Sequence, residues 1–327
     1  MSDLVPPAAN APATVRSAPA VELRAWQQFA AVAESLHFGR AAAHLHMTQP
    51  PLTQAIASLE SKLGVRLFDR NKRHVHLTAA GAALLPQVLE LLARASGLPA
   101  LARAAAAGEV GRLRLAFVST VGYDLLPQWV RVFRERNPGV ELDLLEATGD
   151  VQLPMLLRGD VDAGFVLHSP GFGPPGLAGQ RISQEPLVLA LPERHPLAQS
   201  GELLQLSLAQ VLAEPLVVFP RRIVPSLYDA IFGLYHAAGS VPQVAQEAIQ
   251  MQTIVNLVSA GLGVAWVPQS VMQFRRPGVV YRRIENRGRF VLPACETSLV
   301  WRAELAGPVL QRFIGFVVEA AAQPAPG

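Results

Sequence analysis

Between Ala41 and Gln54 the chain reads Ala-Ala-Ala-His-Leu-His-Met-Thr-Gln-Pro-Pro-Leu-Thr-Gln, and its amides and hydroxyls are suited to hydrogen-bonding the edges of bases. An exposed Gln can pair bidentately with adenine, which is worth roughly 1–3 kcal/mol of discrimination. Gln49, Thr53 and Gln54 fall near the start of a helix whose buried stripe is Leu52, Ile56, Leu59 and Leu63, and they lie away from that stripe. Thr48 stands at the N-cap, where its hydroxyl can accept a free N–H of the first turn. Pro50 and Pro51 follow in that turn, where a missing N–H costs little. The expected DNA-facing set is Thr48, Gln49, Pro50, Pro51, Thr53 and Gln54, with Gln49, Pro50, Thr53 and Gln54 on the bases. A second set, Arg70, Lys72 and Arg73 in the turn Asp69–Arg73, suits phosphates.

Further along, Ser119 and Thr120 follow an apolar strand and precede a helix, and Thr148 has a similar place after the next strand. Hydroxyls and free N–H groups at such positions suit a carboxylate or phosphate. Phe219, Arg221 and Ile223 lie at the end of a later strand, and Met251 opens another helix. With Phe165 they describe a site for an organic anion, apolar in the middle and charged at its ends. Each position has a plainer alternative. Ser119, Thr120 and Thr148 can cap helices, Arg221 and Arg222 can be a solvated pair, and Phe165 can be core.

Other motifs lead away from catalysis and metal binding. Gly171-Phe172-Gly173-Pro174-Pro175-Gly176 matches a dinucleotide fingerprint, but two prolines remove the N–H donors a pyrophosphate needs, so a surface loop is expected. His44-x-His46 and His74-x-His76 lack a Cys or carboxylate cluster to complete a metal site. No G-x-S-x-G, H-E-x-x-H or P-loop is present. No enzyme activity, cofactor or metal is expected. A single cysteine, Cys295, excludes an internal disulfide and fits a reducing cytoplasm.

The positioning elements follow from pattern. Leu23, Trp26, Phe29, Ala30 and Val32 supply a covering helix, and small Ala41 and Ala42 let the next helices pack closely. Leu63-Gly64 ends the reading helix, and 65–68 and 74–77 are short β segments. From Ala79 to about Ala107 runs an Ala/Leu-rich helix too apolar to stand alone, with a kink or break expected near Gly97-Leu98-Pro99. Strands then alternate with helices, which implies a parallel sheet and two α/β lobes joined by crossing segments. The net charge is +3, and residues 21–80 carry seven Lys/Arg against four Asp/Glu, so the excess sits in that small segment. No apolar run approaches the roughly 18 residues of a membrane span.

Phe29–Glu34, Ala41-Ala42, Leu45, Gln49-Pro50, Leu59-Glu60, Leu63-Gly64, Leu67-Phe68, Arg70 and Leu77–Gly81 together resemble the LysR-type transcriptional regulators. Phe219-Pro220-Arg221, Gln246-Glu247-Ala248, Gln252-Thr253 and Ala260–Val264 are similar to the subgroup that senses aromatic-degradation intermediates, one branch of which controls carbon fixation. Residues 1–20, rich in Ala and Pro with only Asp3 and Arg16 charged, read as a disordered extension. The resemblance implies an α/β class protein: a winged helix-turn-helix at 21–80 and a linker and dimerisation helix at 81–108. A two-lobed effector-binding domain like periplasmic solute-binding proteins follows at 109–327. Lobe I would cover about 109–184 and 290–327, and lobe II about 185–289. It implies an activator that binds promoter DNA as a dimer of dimers, bends it, answers a muconate- or benzoate-like inducer, and engages RNA polymerase. The arginine of a second effector site in some members is replaced here by Leu167-His168. Two other readings stand beside it: a small-molecule binding protein with a degenerate helix-turn-helix, and a regulator sensing phosphorylated metabolites.

Overall fold

The computed structural model describes residues 21–70, 74–123, 125–199, 208–284 and 290–322. The chain forms two compact units that divide at Leu101/Ala102. The N-terminal unit begins with α1 (Leu23–Ser35), α2 (Phe38–His44) and α3 (Gln49–Leu63). Small residues set the close approach: Ala41 and Ala42 of α2 are buried against Phe29, Val32, Leu52 and Ile56. The helix starts are handled in different ways. His37 Nδ1 accepts the Arg40 N–H at 3.2 Å and caps α2. Gly64 ends α3 in the left-handed region at φ 70°, where glycine carries no Cβ penalty.

Two short strands, β1 (Phe68–Arg70) and β2 (Val75–Leu77), pair antiparallel and form the wing. Phe68 anchors it in the core, 5.4 Å from Phe29 and 6.0 Å from Phe38 between ring centres. Helix α4 (Ala79–Ala106) follows directly. Thr78 caps it by accepting the Gly81 N–H at 3.0 Å and donating to the Arg66 carbonyl at 2.7 Å. A Cβ at Gly81 would stand 2.2 Å from the Leu67 carbonyl oxygen, so only glycine fits between α4 and the wing. Helix α4 runs unbroken through Pro86 and through Gly97-Leu98-Pro99, where a kink or break was the expectation. Each proline removes one intrahelical bond, and the surrounding Ala and Leu have the strongest helix propensities, which carry the helix through.

The C-terminal unit opens with β3 (Gly111–Phe117), α5 (Ser119–Gly122), α6 (Leu125–Arg136), β4 (Val140–Glu146), α7 (Gly149–Arg158), β5 (Ala163–His168) and β6 (Ala178–Pro192). Next come α8 (Pro196–Gln199), α9 (Leu208–Leu212), β7 (Leu216–Val218), α10 (Pro225–Ala237), β8 (Val244–Glu247), α11 (Met251–Ser259), β9 (Ala265–Pro268) and a 3-10 turn at Gln269–Gln273. The unit closes with β10 (Val279–Arg282), β11 (Ala294–Trp301) and α12 (Pro308–Ala322).

The sheet is mixed rather than purely parallel. Strand β3 pairs parallel with β4 and β5, whereas β11 runs antiparallel between β5 and β6. Strand β6 is the long crossing segment: its first half pairs with β11 and its second half with β9 and β10. Its fully apolar second half, Leu187–Leu191, is buried in a core with Leu216–Phe219, Leu227, Ile231 and Val264–Val267. A separate aromatic core holds Trp129, Phe133, Phe165, Phe313 and Phe316 on the β3–β5 side. Two cores bridged by long strands make a two-lobed body.

Candidate functional site

In the N-terminal unit Thr48, Gln49, Pro50, Pro51 and Gln54 are all exposed at the start of α3, while Leu52, Ile56 and Leu59 of the same helix are buried. Thr48 occupies the N-cap with extended backbone but makes no capping hydrogen bond, which corrects the expectation from sequence. An N-cap side chain takes the N–H of the second or third helical residue. Here those residues are Pro50 and Pro51, which have no N–H to give. The Thr48 hydroxyl is thus left at the surface with its hydrogen-bonding capacity unspent by the helix. Thr53 is half-buried, and its hydroxyl donates to the Gln49 carbonyl at 3.0 Å.

The wing is tied to α3 by a residue that sequence reasoning gave no role. Glu60 Oε1 accepts the N–H groups of Leu67 and Phe68 at 2.8 and 3.1 Å, and Oε2 accepts from the Arg70 guanidinium at 3.2 Å. Arg70 also lies 4.6 Å over the Phe38 ring. Arg70 is therefore engaged within its own domain, so a phosphate role would compete with Glu60. Lys72 and Arg73 fall outside the described residues. His44 and His46 are exposed, and the His74 and His76 rings stack at 5.8 Å.

The residues expected to bind an effector divide between buried cores, helix starts and three separate cavities, and no one of those cavities is lined by all eight. Phe165 is fully buried, 6.0 Å from Trp129 and 6.3 Å from Phe313. Phe219 and Met251 are buried in the second core, with Phe219 edge-on to Tyr228. These three are packed in the cores and line none of the three cavities. Arg221 makes two 2.7 Å bonds to the Asp229 carboxylate. That hydrogen-bonded pairing raises the arginine pKa and lowers that of Asp229. Thr148 stands at the N-cap of α7, where its hydroxyl donates to Asp150 instead of receiving a helix N–H. Thr120 Oγ1 is buried without a hydrogen-bond partner among the described residues, beside a space of about 130 Å³ shared with Ser183, Glu185 and Ser270.

Ser119 and Ile223 line larger spaces, but different ones. The Ser119 hydroxyl is 3.5 Å from Gln250 Oε1 and borders a cavity of about 370 Å³ with Tyr123, Glu146 and Gln252. Burial raises the Tyr123 phenol above its ordinary pKa, so it stays a neutral donor there. Ile223 belongs to a cavity of about 770 Å³ between α7, the end of β5 and the start of α10. Its walls include Leu153, Val166 and Val224, which the sequence had not singled out, and Leu167-His168, noted there only as standing in place of a second-site arginine. The Gly171–Pro175 loop forms part of its rim. Leucine and valine at strand ends give no signal that separates a wall from a core.

A winged helix-turn-helix with an exposed reading helix, joined to a two-lobed cavity-bearing body, defines a DNA-binding regulator with an effector-binding domain. Residues 23–82 match the bacterial regulatory helix-turn-helix protein model of the lysR family, and residues 106–322 match the LysR substrate binding domain model. The chain belongs to the LysR family of transcriptional regulators. It is 46% identical over 305 residues to the HTH-type transcriptional regulator IlvR of Caulobacter vibrioides, covering 93% of this chain and 100% of that protein. It is 36% identical over 294 residues to AlsR of Bacillus subtilis, covering 90% of this chain and 94% of that one. Among solved structures, full-length CbnR complexed with its target DNA superposes with a TM-score of 0.76 at 34% identity, over 92% of this chain and 100% of that chain. Full-length BenM, at 23% identity and a TM-score of 0.54 over 94% and 100%, shares the fold.

Proposed function

We propose that this regulator is an activator that grips two neighbouring promoter sites as a dimer of dimers and bends the DNA between them. In this reading the Thr48–Gln54 face of α3 enters the major groove, and Gln49, Pro50, Thr53 and Gln54 meet base edges. Lys72 and Arg73 contact phosphate, and Arg70 does so only by giving up Glu60. The exposed leucines of α4, Leu89, Leu91, Leu98 and Leu101, supply the apolar surface for pairing with a second chain. A small organic effector in the C-terminal unit shifts the balance between two arrangements, relaxes the bend and lets RNA polymerase engage; it does so only through different affinity for the two. An anion was expected from the sequence on Ser119, Thr120, Thr148 and Arg221 together; of these, Arg221 is held by Asp229.

The observation that carries this reading is the exposed, uncapped start of α3, supported by the full-length likeness to a protein crystallised on its target DNA. The experiment is a binding titration of the Gln54→Ala variant on promoter and random duplexes. Loss of a base contact costs roughly 1–3 kcal/mol on the promoter and nothing on random DNA. Equal loss on both duplexes removes Gln54 from base readout.

A further inference from the structure

The 770 Å³ cavity has an internal chemistry that restricts what it can hold. Its deep wall is hydrocarbon, from Leu153, Val166, Leu167, Ile223 and Val224. The polar groups beside that wall are spent on each other. Both ring nitrogens of His168 are engaged, one with the Ser169 carbonyl at 2.8 Å and one with the Ser298 hydroxyl at 2.9 Å. The Ser169 N–H donates to Ser226 Oγ at 3.0 Å, and the Ser169 hydroxyl donates to the Ser226 carbonyl at 2.9 Å. Behind His168 lies the buried Glu296 carboxylate, 3.8 Å from Nδ1, which also accepts the Gly171 N–H at 3.2 Å. The carboxylates and guanidinium that line the cavity itself, Asp150, Arg222 and Asp229, sit toward the mouth and are paired. Arg222 Nε stands 3.9 Å from Asp150, and Asp229 is held by both bonds from Arg221.

We propose that this cavity is the effector site and takes a small organic molecule with an apolar body and no net charge. The inference rests on the reading of the C-terminal unit as a small-molecule sensor. A carboxylate or phosphate placed deep would lie against Leu153 and Val166 with no cation, and an unpaired buried charge is strongly disfavoured. The same group at the mouth would meet Asp150 and Asp229 along with Arg222, so attraction and repulsion largely cancel. An uncharged molecule meets neither obstacle, and its apolar area is removed from water against the deep wall.

Two dyes that differ by one charge test this in the full-length protein. N-phenyl-1-naphthylamine and 8-anilino-1-naphthalenesulfonate share a ring frame, and only the second carries a sulfonate. Fluorescence titration is expected to show one neutral dye per chain, bound at least roughly tenfold tighter than the sulfonate. Leu153→Trp fills the cavity from α7 and Ala230→Leu narrows it from α10; both positions are only partly buried, and either change should abolish or sharply weaken the neutral-dye signal. Asp150→Asn unbalances the mouth and should bring the sulfonate's affinity closer to that of the neutral dye. Equal or tighter sulfonate binding at the Leu153-sensitive site overturns the proposal. So does neutral-dye binding that survives both filling changes. The DNA titration with Gln54→Ala uses no dye, so failure of the ligand class is separable from failure of the regulator reading.

Discussion

Replacing Glu60 with alanine should release the wing from α3 while leaving the reading residues in place. Glu60 is the acceptor for two amides, those of Leu67 and Phe68, and both residues are almost fully buried. A buried donor left without a partner costs about 1–3 kcal/mol. The Arg70 pair, partly exposed, adds about 0–1 kcal/mol. With two amides orphaned, the total is about 2–7 kcal/mol, a large share of the stability of a small domain. Hydrogen exchange of the segment Val65–Arg70 reads this locally, without interference from unfolding of the C-terminal unit. Two kcal/mol corresponds to roughly thirtyfold less protection. Glu60→Gln keeps an acceptor oxygen for the two amides and loses the charge facing Arg70, so it should cost less than about 1 kcal/mol. Exchange in Glu60→Ala within about threefold of the parent protein would refute the assignment of Glu60 as the acceptor that fixes the wing.

Thr48→Ala should behave unlike an ordinary cap removal. A capping threonine replaced by alanine costs about 1 kcal/mol, but Pro50 and Pro51 leave this hydroxyl nothing to cap, so chemical denaturation should shift by less than about 0.5 kcal/mol while promoter affinity falls. The Arg221–Asp229 pair should make a small contribution with a defined pH signature. Arg221 lowers the Asp229 pKa in the folded state, so the pair's stabilisation is present above the ordinary aspartate value of 3.8 and is lost as pH falls through the lowered one. Asp229→Asn should therefore flatten the acid limb of the stability profile, and an unchanged limb would contradict the pairing. Both side chains are largely exposed, so the effect should be modest.

The reading helix was legible because its signals are local. The Leu52-Ile56-Leu59 stripe, the prolines of the first turn and Gly64 all act within a few residues of each other. The same local logic failed at Thr48, where residue type indicated a cap and its neighbours' missing N–H groups prevented one. Glu60 was visible as part of the family pattern, but its role depends on amides seven and eight residues away, which fold back only when the wing forms. The strands and helices of the C-terminal unit could be placed from alternating apolar segments. The mixed sheet could not, because nothing in Leu187–Leu191 says that β6 continues back to Ala178 and pairs with β11. The effector residues were the least legible. A phenylalanine at a strand end looks alike whether it faces a ligand or Trp129, and Arg221 looks free until α10 brings Asp229 beside it.

The start of α3 is proposed as the surface that meets DNA. The only cysteine, Cys295, is fully buried, and burial pushes its thiol far above the ordinary value, so it should resist labelling. A Gln54→Cys variant can then carry a single iron chelate that cleaves nearby DNA. Cleavage confined to a few adjacent bases inside the protected promoter sequence is the predicted result. Cleavage no stronger or more localised than from a chelate on an exposed position of the C-terminal unit, such as Leu305→Cys, would contradict it.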